Sequence, residues 1–280
     1  MKRIVAFIVL FSCMGTMSFG QSGPNMISKM LDAINSVKTG KYILNKIERI
    51  DGKMYTTEMI VKYQSSPLKV YSYSINPDPG AEILFVKGNN NNNVLVHPNK
   101  FPYVNLNLSP FGSILRKNQH HTIYEMGFGY IGSILAHNIL VKEKEFYTNL
   151  SFTGEVDWKG KKYYKLVVDN VNYGFEEYKV QSGETLYEIG KKLFINDYKI
   201  LCLNKSLSNS DDLKPGQILK VPNTYARKIE LYLDKNNYLP VVQVIYDENG
   251  LYAQYEFSSL IVNPDFSPEE FTAKYKDYKF

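Results

Sequence analysis

The hydrophobic pattern changes period along the chain. Ile27, Met30, Leu31, Ile34 and Val37 recur at the spacing of one helix face, and Gly40 then stops the run. From Tyr42 onward apolar residues alternate with polar ones, the period of a strand with one face toward a core. Residues 43–50 and 54–61 read as a hairpin about Asp51-Gly52, a dipeptide that tolerates the positive φ angles of a two-residue loop. Further strands are expected at 68–75, 82–87, 94–97, 145–156, 161–168, 226–233, 239–246 and 251–261. Asn249-Gly250 joins the last two, and the asparagines at 89–93 after Gly88 mark a polar hairpin tip. Phe128, Ile131, Leu135 and Ile139 predict one internal helix. The result is an α+β chain, a leading helix followed by a long antiparallel meander.

Residues 178–222 depart from that meander. Tyr178-Lys179-Val180-Gln181 is a short strand and Ser182-Gly183 a turn. Thr185 is an N-cap with Glu188 three positions on, a capping box for a helix carrying Leu186, Ile189, Leu193 and Phe194 on one face. A second helical stretch at 198–203 presents Ile200, Leu201 and Leu203 until Asn204 and the polar run at 206–212 break it. Pro215-Gly216 is a tight turn, after which Ile218, Leu219 and Val221 give a second strand. A unit of this size is near the lower limit for a core of its own. Cys202, between Leu201 and Leu203, has no cysteine nearby and reads as a small buried hydrophobe.

This segment resembles a LysM domain, the small βααβ module that binds N-acetylglucosamine-containing glycans. Gly190 stands where the family usually has alanine, and the stretch after Phe194 follows the family pattern less closely. The resemblance implies a shallow groove between the loop after the first strand and the loop before the second. Carried over by motif position, the glycan-binding residues are Ser182, Gly183, Glu184, Thr185 and Leu186 on one side, and Leu207, Ser208, Asn209, Ser210, Asp211 and Leu213 on the other. Backbone groups beside Gly183 and the polar side chains would bond the acetamide and hydroxyls, while apolar side chains cover the sugar face. A LysM-shaped spacer without a ligand is the alternative, because a single short groove binds weakly without avidity.

The remaining chain is similar to the LolA- or LolB-like lipoprotein carriers. The likeness rests on element order and on pieces such as Ile47-Glu48-Arg49-Ile50-Asp51-Gly52-Lys53, Ser66-Pro67-Leu68-Lys69-Val70-Tyr71 and Gly80-Ala81-Glu82-Ile83-Leu84-Phe85-Val86, with the closing residues 271–280. These pieces also resemble an uncharacterised family of exported bacterial proteins. The resemblance implies a strongly curved antiparallel sheet, a half-barrel wrapping helix, made of residues 25–177 and 223–280 and interrupted by the LysM module at 178–222. Tyr178 and Pro222 would then lie close together at a loop of the host sheet. The Tyr, Phe and Ile residues of its strands either line a cavity for a lipid, a lipoprotein or another apolar ligand, or form an ordinary packed core.

The amino terminus sets the compartment. Lys2 and Arg3 precede the apolar run at 4–11, and Ser18-Phe19-Gly20 supplies small residues at the two positions a signal peptidase reads, so residues 1–20 are expected to be an export signal. Cys13 after Leu10-Phe11-Ser12 faintly resembles a lipoprotein cleavage site, the alternative reading. Loss of the signal leaves Cys202 alone, and a mature exported chain without a disulfide suits the periplasm of a Gram-negative-type bacterium. The glycan would then be peptidoglycan.

Composition narrows the picture a little further. With 280 residues, 44% hydrophobic and 23 of them Tyr, the chain can bury a sizeable core beside the small module. The formal charge of +5 comes without a dense Lys/Arg stripe and gives no case for nucleic acid. His120-His121 with Glu125 is the one local cluster of metal-ligand types, but HExxH, H-x-H and GxSxG patterns are absent, and a polar loop before a helix explains the cluster. Trp158 reads as strand-end packing. The reading is a non-catalytic binding protein with no cofactor and no metal; a wall hydrolase with paired carboxylates is the weaker alternative, and no particular pair stands out.

Overall fold

In the first strand, β1 (Thr39–Ile50), the even-numbered residues from Gly40 to Ile50 are buried and the odd-numbered ones are not. The inward set holds Tyr42 and Leu44 and also Lys46 and Glu48. A period of two places all of these side chains on one face of the sheet. The computed structural model describes residues 22–101, 103–207 and 213–280. The export signal at 1–20 and the loop residues Ser208, Asn209, Ser210 and Asp211 lie outside them.

Among the described residues β1 is one of eleven strands in an antiparallel sheet. The others are β2 (Lys53–Gln64), β3 (Lys69–Asn76), β4 (Glu82–Val86), β5 (Val94–His97), β6 (Leu106–Leu108), β7 (Leu150–Trp158), β8 (Lys161–Asp169), β11 (Lys228–Leu233), β12 (Pro240–Asp247) and β13 (Gly250–Val262). Their order is β6-β5-β4-β3-β2-β1-β13-β12-β11-β8-β7. The edges β6 and β7 do not pair, so the sheet is a strongly curved half-barrel and not a closed one. Register shifts between β1 and β13, β2 and β3, β11 and β12, β12 and β13, and β7 and β8 supply local bends. The Asp51-Gly52 hairpin forms as expected, with Ile50 opposite Lys53.

Two helices pack into one half of the concavity, near β7 and β8. Helix α1 (Gly23–Ser36) buries Met26, Ile27, Met30 and Ile34, and α3 (Gly129–Asn149) buries Ile131, Ile134, Leu135 and Phe146. They meet where Gly132 leaves room for Ile34. A four-residue helix, α2 (Ser113–Arg116), lies between them in sequence, on the inner side of the sheet. The chain beyond β13 straps the outer face, with Phe271 buried and Tyr278 stacked on Tyr71 at 3.7 Å. No described helix is long and apolar enough to cross a membrane.

The chain leaves the sheet at Asp169 and returns at Lys228, which is its register partner, so the segment between them is looped out from two adjacent strands. That segment holds a separate two-stranded sheet, β9 (Phe175–Lys179) with β10 (Ile218–Pro222), and helices α4 (Leu186–Leu193) and α5 (Asp197–Leu203). Val180, Leu186, Ile189, Ile195, Ile200, Leu219 and Val221 form a second apolar cluster of its own. Asn223 ties the neck, its backbone N–H donating to Gly174 O and its Oδ1 accepting from Gly174 N–H, both at 3.0 Å.

Several expectations need correction. Residues 145–149 are helical, not strand: they belong to the last stretch of α3, after a break at Lys142 (φ −139°, ψ 41°), and bury Phe146 in the core. Helix α1 ends at Ser36, so Gly40 stops nothing and lies in β1. The short strand β6 was not expected. Phe194 is not on the face of α4: it is the left-handed C-cap at φ 54° and stacks on His137 of α3 at 4.0 Å. Cys202 is exposed, since α5 turns Ile200 inward and carries the thiol to the far side.

Gly127, just before α3, has φ +88°, and a Cβ there would lie 2.9 Å from the Tyr63 ring. Gly88 has a similar φ of +90° with open space around it. Gly127→Ala is therefore expected to cost about 2–4 kcal/mol by denaturant titration, and Gly88→Ala about 1–2, the backbone strain alone.

Candidate functional site

The first loop of the inserted module is held by its own hydrogen bonds. Gly183 takes φ +81°, a conformation that suits glycine. The Glu184 carboxylate accepts from the Tyr178 hydroxyl at 2.7 Å, from Gln181 N–H at 2.9 Å and from Lys192 Nζ at 3.0 Å. Thr185 and Glu188 form the expected reciprocal capping box. Ser182 and Gly183 are exposed, and Glu184 and Thr185 partly so. Leu186 is 1% exposed within the module core, so its side chain is not available as apolar cover for a ligand. On the facing side Leu207 and Leu213 are half-buried against the same core.

The other face of the module is docked on the host sheet. Asn196, the N-cap of α5, is buried and fully bonded: its Nδ2 donates to His120 O at 3.0 Å and to His121 Nδ1 at 3.3 Å, and its Oδ1 accepts from Lys199 N–H and the Tyr252 hydroxyl. That pattern assigns His121 as the Nε2–H tautomer, which donates to the Tyr225 hydroxyl at 3.3 Å. Lys199 reaches Asp247 at 2.8 Å and Glu248 at 2.7 Å, Arg49 also pairs with Asp247, and Arg116 meets Asp197 at 2.9 Å. Sequence reading missed Asn196. The signal was available as a cap residue just before Asp197.

The host sheet is partly hollow. A cavity of about 840 Å³ lies between the inner faces of β1 to β6 and the segment 110–131. Its walls include Leu44, Met59, Ile83, Val94, Val96 and Leu106, and its rim the exposed Pro77, Asp78, Lys100, Ile114 and Lys117. Its polar end holds Lys46, Glu48, Gln119, His121 and Tyr255. Lys46 pairs with Glu48 at 3.2 Å and bonds Gln119, while the Tyr255 hydroxyl donates to Glu48 at 2.8 Å. Burial alone would raise the Glu48 carboxyl, but Lys46, His120, His121 and the Tyr255 hydroxyl together bring it down to about 2. Burial holds His121 down at about 3.

The histidine cluster is committed to structure. His120 Nε2 donates to Arg49 O at 2.9 Å, both His121 nitrogens are bonded, and Glu125 caps the short helix Ile123–Glu125 through Thr122. Among the described residues no three such side chains converge on a metal site. Glu125 and His121 both line the cavity and also touch the module, Glu125 through the Tyr187 hydroxyl.

Comparison with known proteins gives two family matches. The LysM domain matches residues 178–222. The family described as "Protein of unknown function (DUF1571)" matches residues 37–196, from the end of α1 into α4 and beyond. None of the curated proteins matches. Among solved structures the chain is similar to an uncharacterized conserved protein from Thermus thermophilus, at 11% identity and TM-score 0.41, covering 91% of this chain and 96% of that one. It is also similar to the lipoprotein LppX of Mycobacterium tuberculosis (14%, TM-score 0.39, covering 87% and 98%) and to a LolA superfamily protein from Nitrosomonas europaea (10%, TM-score 0.34, covering 90% and 98%).

Glu48 and His121, at the polar end of the cavity, tie stability to pH in one direction. Glu48 titrates near 2 when folded against an ordinary 4.5, and His121 near 3 against 6.5, so in each case the unfolded chain binds the proton more readily. Their stabilisation is complete above pH 6.5, and is expected to fall as pH drops through that value toward 3 for His121, and from 4.5 toward 2 for Glu48. Urea titrations across this range check it, and His121→Gln should flatten the upper part of the decline.

Proposed function

The chain belongs to the family described as "Protein of unknown function (DUF1571)" and carries a LysM domain, and from that premise we propose that it is an exported, non-catalytic protein that binds peptidoglycan through N-acetylglucosamine units. The observation that carries this reading is the LysM match at 178–222 together with a first loop, Ser182 to Thr185, that is exposed and preorganised. Preorganisation lowers the ordering cost that limits a short groove. Ser182, Gly183, Glu184 and Thr185 offer backbone and polar groups on one side. Motif position assigns Leu207, Ser208, Asn209, Ser210, Asp211 and Leu213 to the other, and Leu186 would contribute its backbone.

The domain division follows the same reading, with residues 25–177 and 223–280 as the host and 178–222 as the insertion. Deleting the insertion is a poor test, since it would strip Asp247, Glu248, His120 and His121 of partners. A bulky residue at exposed Ser182 blocks the groove and spares the docked face. Ser182→Trp is expected to lower retention on purified sacculi by about tenfold, in the range set by one or two lost contacts, with an unchanged unfolding midpoint. Equal retention would place the binding outside this groove.

The cavity favours a second reading, compatible with the first: the host sheet contains an apolar ligand, a lipid or lipoprotein chain, and the module localises it at the wall. A volume of about 840 Å³ falls in the range of small-molecule sites. An apolar fluorophore should bind the full chain and be excluded by Ala81→Trp, which fills the cavity wall; mass spectrometry of the purified protein reads any co-purified lipid. Indifference of the fluorophore to that substitution would count against the cavity as the container.

A further inference from the structure

Residues 98–101 and 103–117 contribute to one wall of the cavity and face two ways. Pro98, Leu106, Leu108, Pro110 and Leu115 line the interior. Between them in sequence, Phe101, Tyr103 and Val104 are 84%, 72% and 54% exposed. Ile114 does both, lining the cavity while 66% exposed, so the outward apolar positions run up to the mouth. Single exposed apolar residues need no explanation, but a group of them beside the opening of an apolar cavity marks an interaction surface.

The charge on the same segment selects the partner. It carries Lys100, Arg116 and Lys117 and no acidic residue. Lys100 is paired with Asp78 and Arg116 with Asp197, while Lys117 is exposed and takes part in no ion pair among the described residues. Aromatic and aliphatic tips with the unpaired Lys117 at the same mouth match the boundary of an anionic bilayer, where rings settle at headgroup depth and an ammonium group meets phosphate. We propose that residues 98–101 and 103–117 are a docking surface for an anionic lipid bilayer, which brings the cavity mouth against the membrane. This goes beyond the glycan reading and does not depend on it.

Flotation of the full chain with vesicles tests the proposal. Vesicles of phosphatidylethanolamine with phosphatidylglycerol are expected to carry the protein, and phosphatidylcholine vesicles far less. The variant Phe101→Ser/Tyr103→Ser/Val104→Ser changes only exposed positions, so circular dichroism and sacculus retention should stay as in the parent while vesicle partition falls about tenfold or more. Lys117→Gln or high salt should weaken the binding to a smaller degree. The proposal is overturned if the triple variant floats like the parent, if neutral and anionic vesicles bind alike, or if the parent floats with neither; capture of an envelope protein by a parent that binds no vesicle would assign the surface to that partner. Loss of sacculus retention in Ser182→Trp alongside intact vesicle binding would bear on the glycan site alone.

Discussion

Lys46 and Glu48 occupy inward positions of the central strand, and that placement constrains the whole host sheet. A charge removed from water is tolerated only with a partner and further hydrogen bonds. Here the pair finds each other, Gln119 and the Tyr255 hydroxyl. An interior that closed as a dry apolar core over these groups would forfeit more than it gained. The sheet instead divides its concave side: α1 and α3 pack the half near β7 and β8, and the half under β1 to β6 stays hollow above the ion pair.

The same polar end joins the two parts of the molecule. His121 faces the cavity and accepts from Asn196 of the inserted module, and Glu125 faces the cavity while bonding Tyr187 of α4. With Lys199 and Arg116 paired across the seam, the module is seated rather than loosely strung. Packed or bonded elements shared by two sites are the physical means by which one can sense the other. Separate strands β8 and β11, paired at the neck, fix both ends of the insertion.

Much of the architecture was legible because its periods are strong. The hairpin at Asp51-Gly52, the strands through β5, the closing strands β11 to β13 and the capping box at Thr185 all follow from local chemistry. The misses share a cause. Phe146, Cys202 and Phe194 were placed by local pattern, while their positions are decided by which side of a helix meets a distant surface. In the module, helical spacing puts Leu186 on the apolar face of α4 while motif position puts it in the groove, and its side chain follows the helical spacing. For the cavity, parity along β1 held the clue: Lys46 and Glu48 share the phase of Tyr42, Leu44 and Ile50, and charges in a core-facing phase announce an interior that is not simply filled.

The pairing of β1 with β13 sets the order in which this protein can be made. Gly40 lies opposite Val262 and Glu48 opposite Ala253, so the middle of the sheet joins residues from the two extremes of the chain. Until the last strand has emerged, β1 shows an unpaired backbone edge, and contacts of such long sequence separation form slowly. Biosynthesis therefore passes through a long interval in which half a sheet waits with a sticky border, the stage at which escort by a holding chaperone matters most.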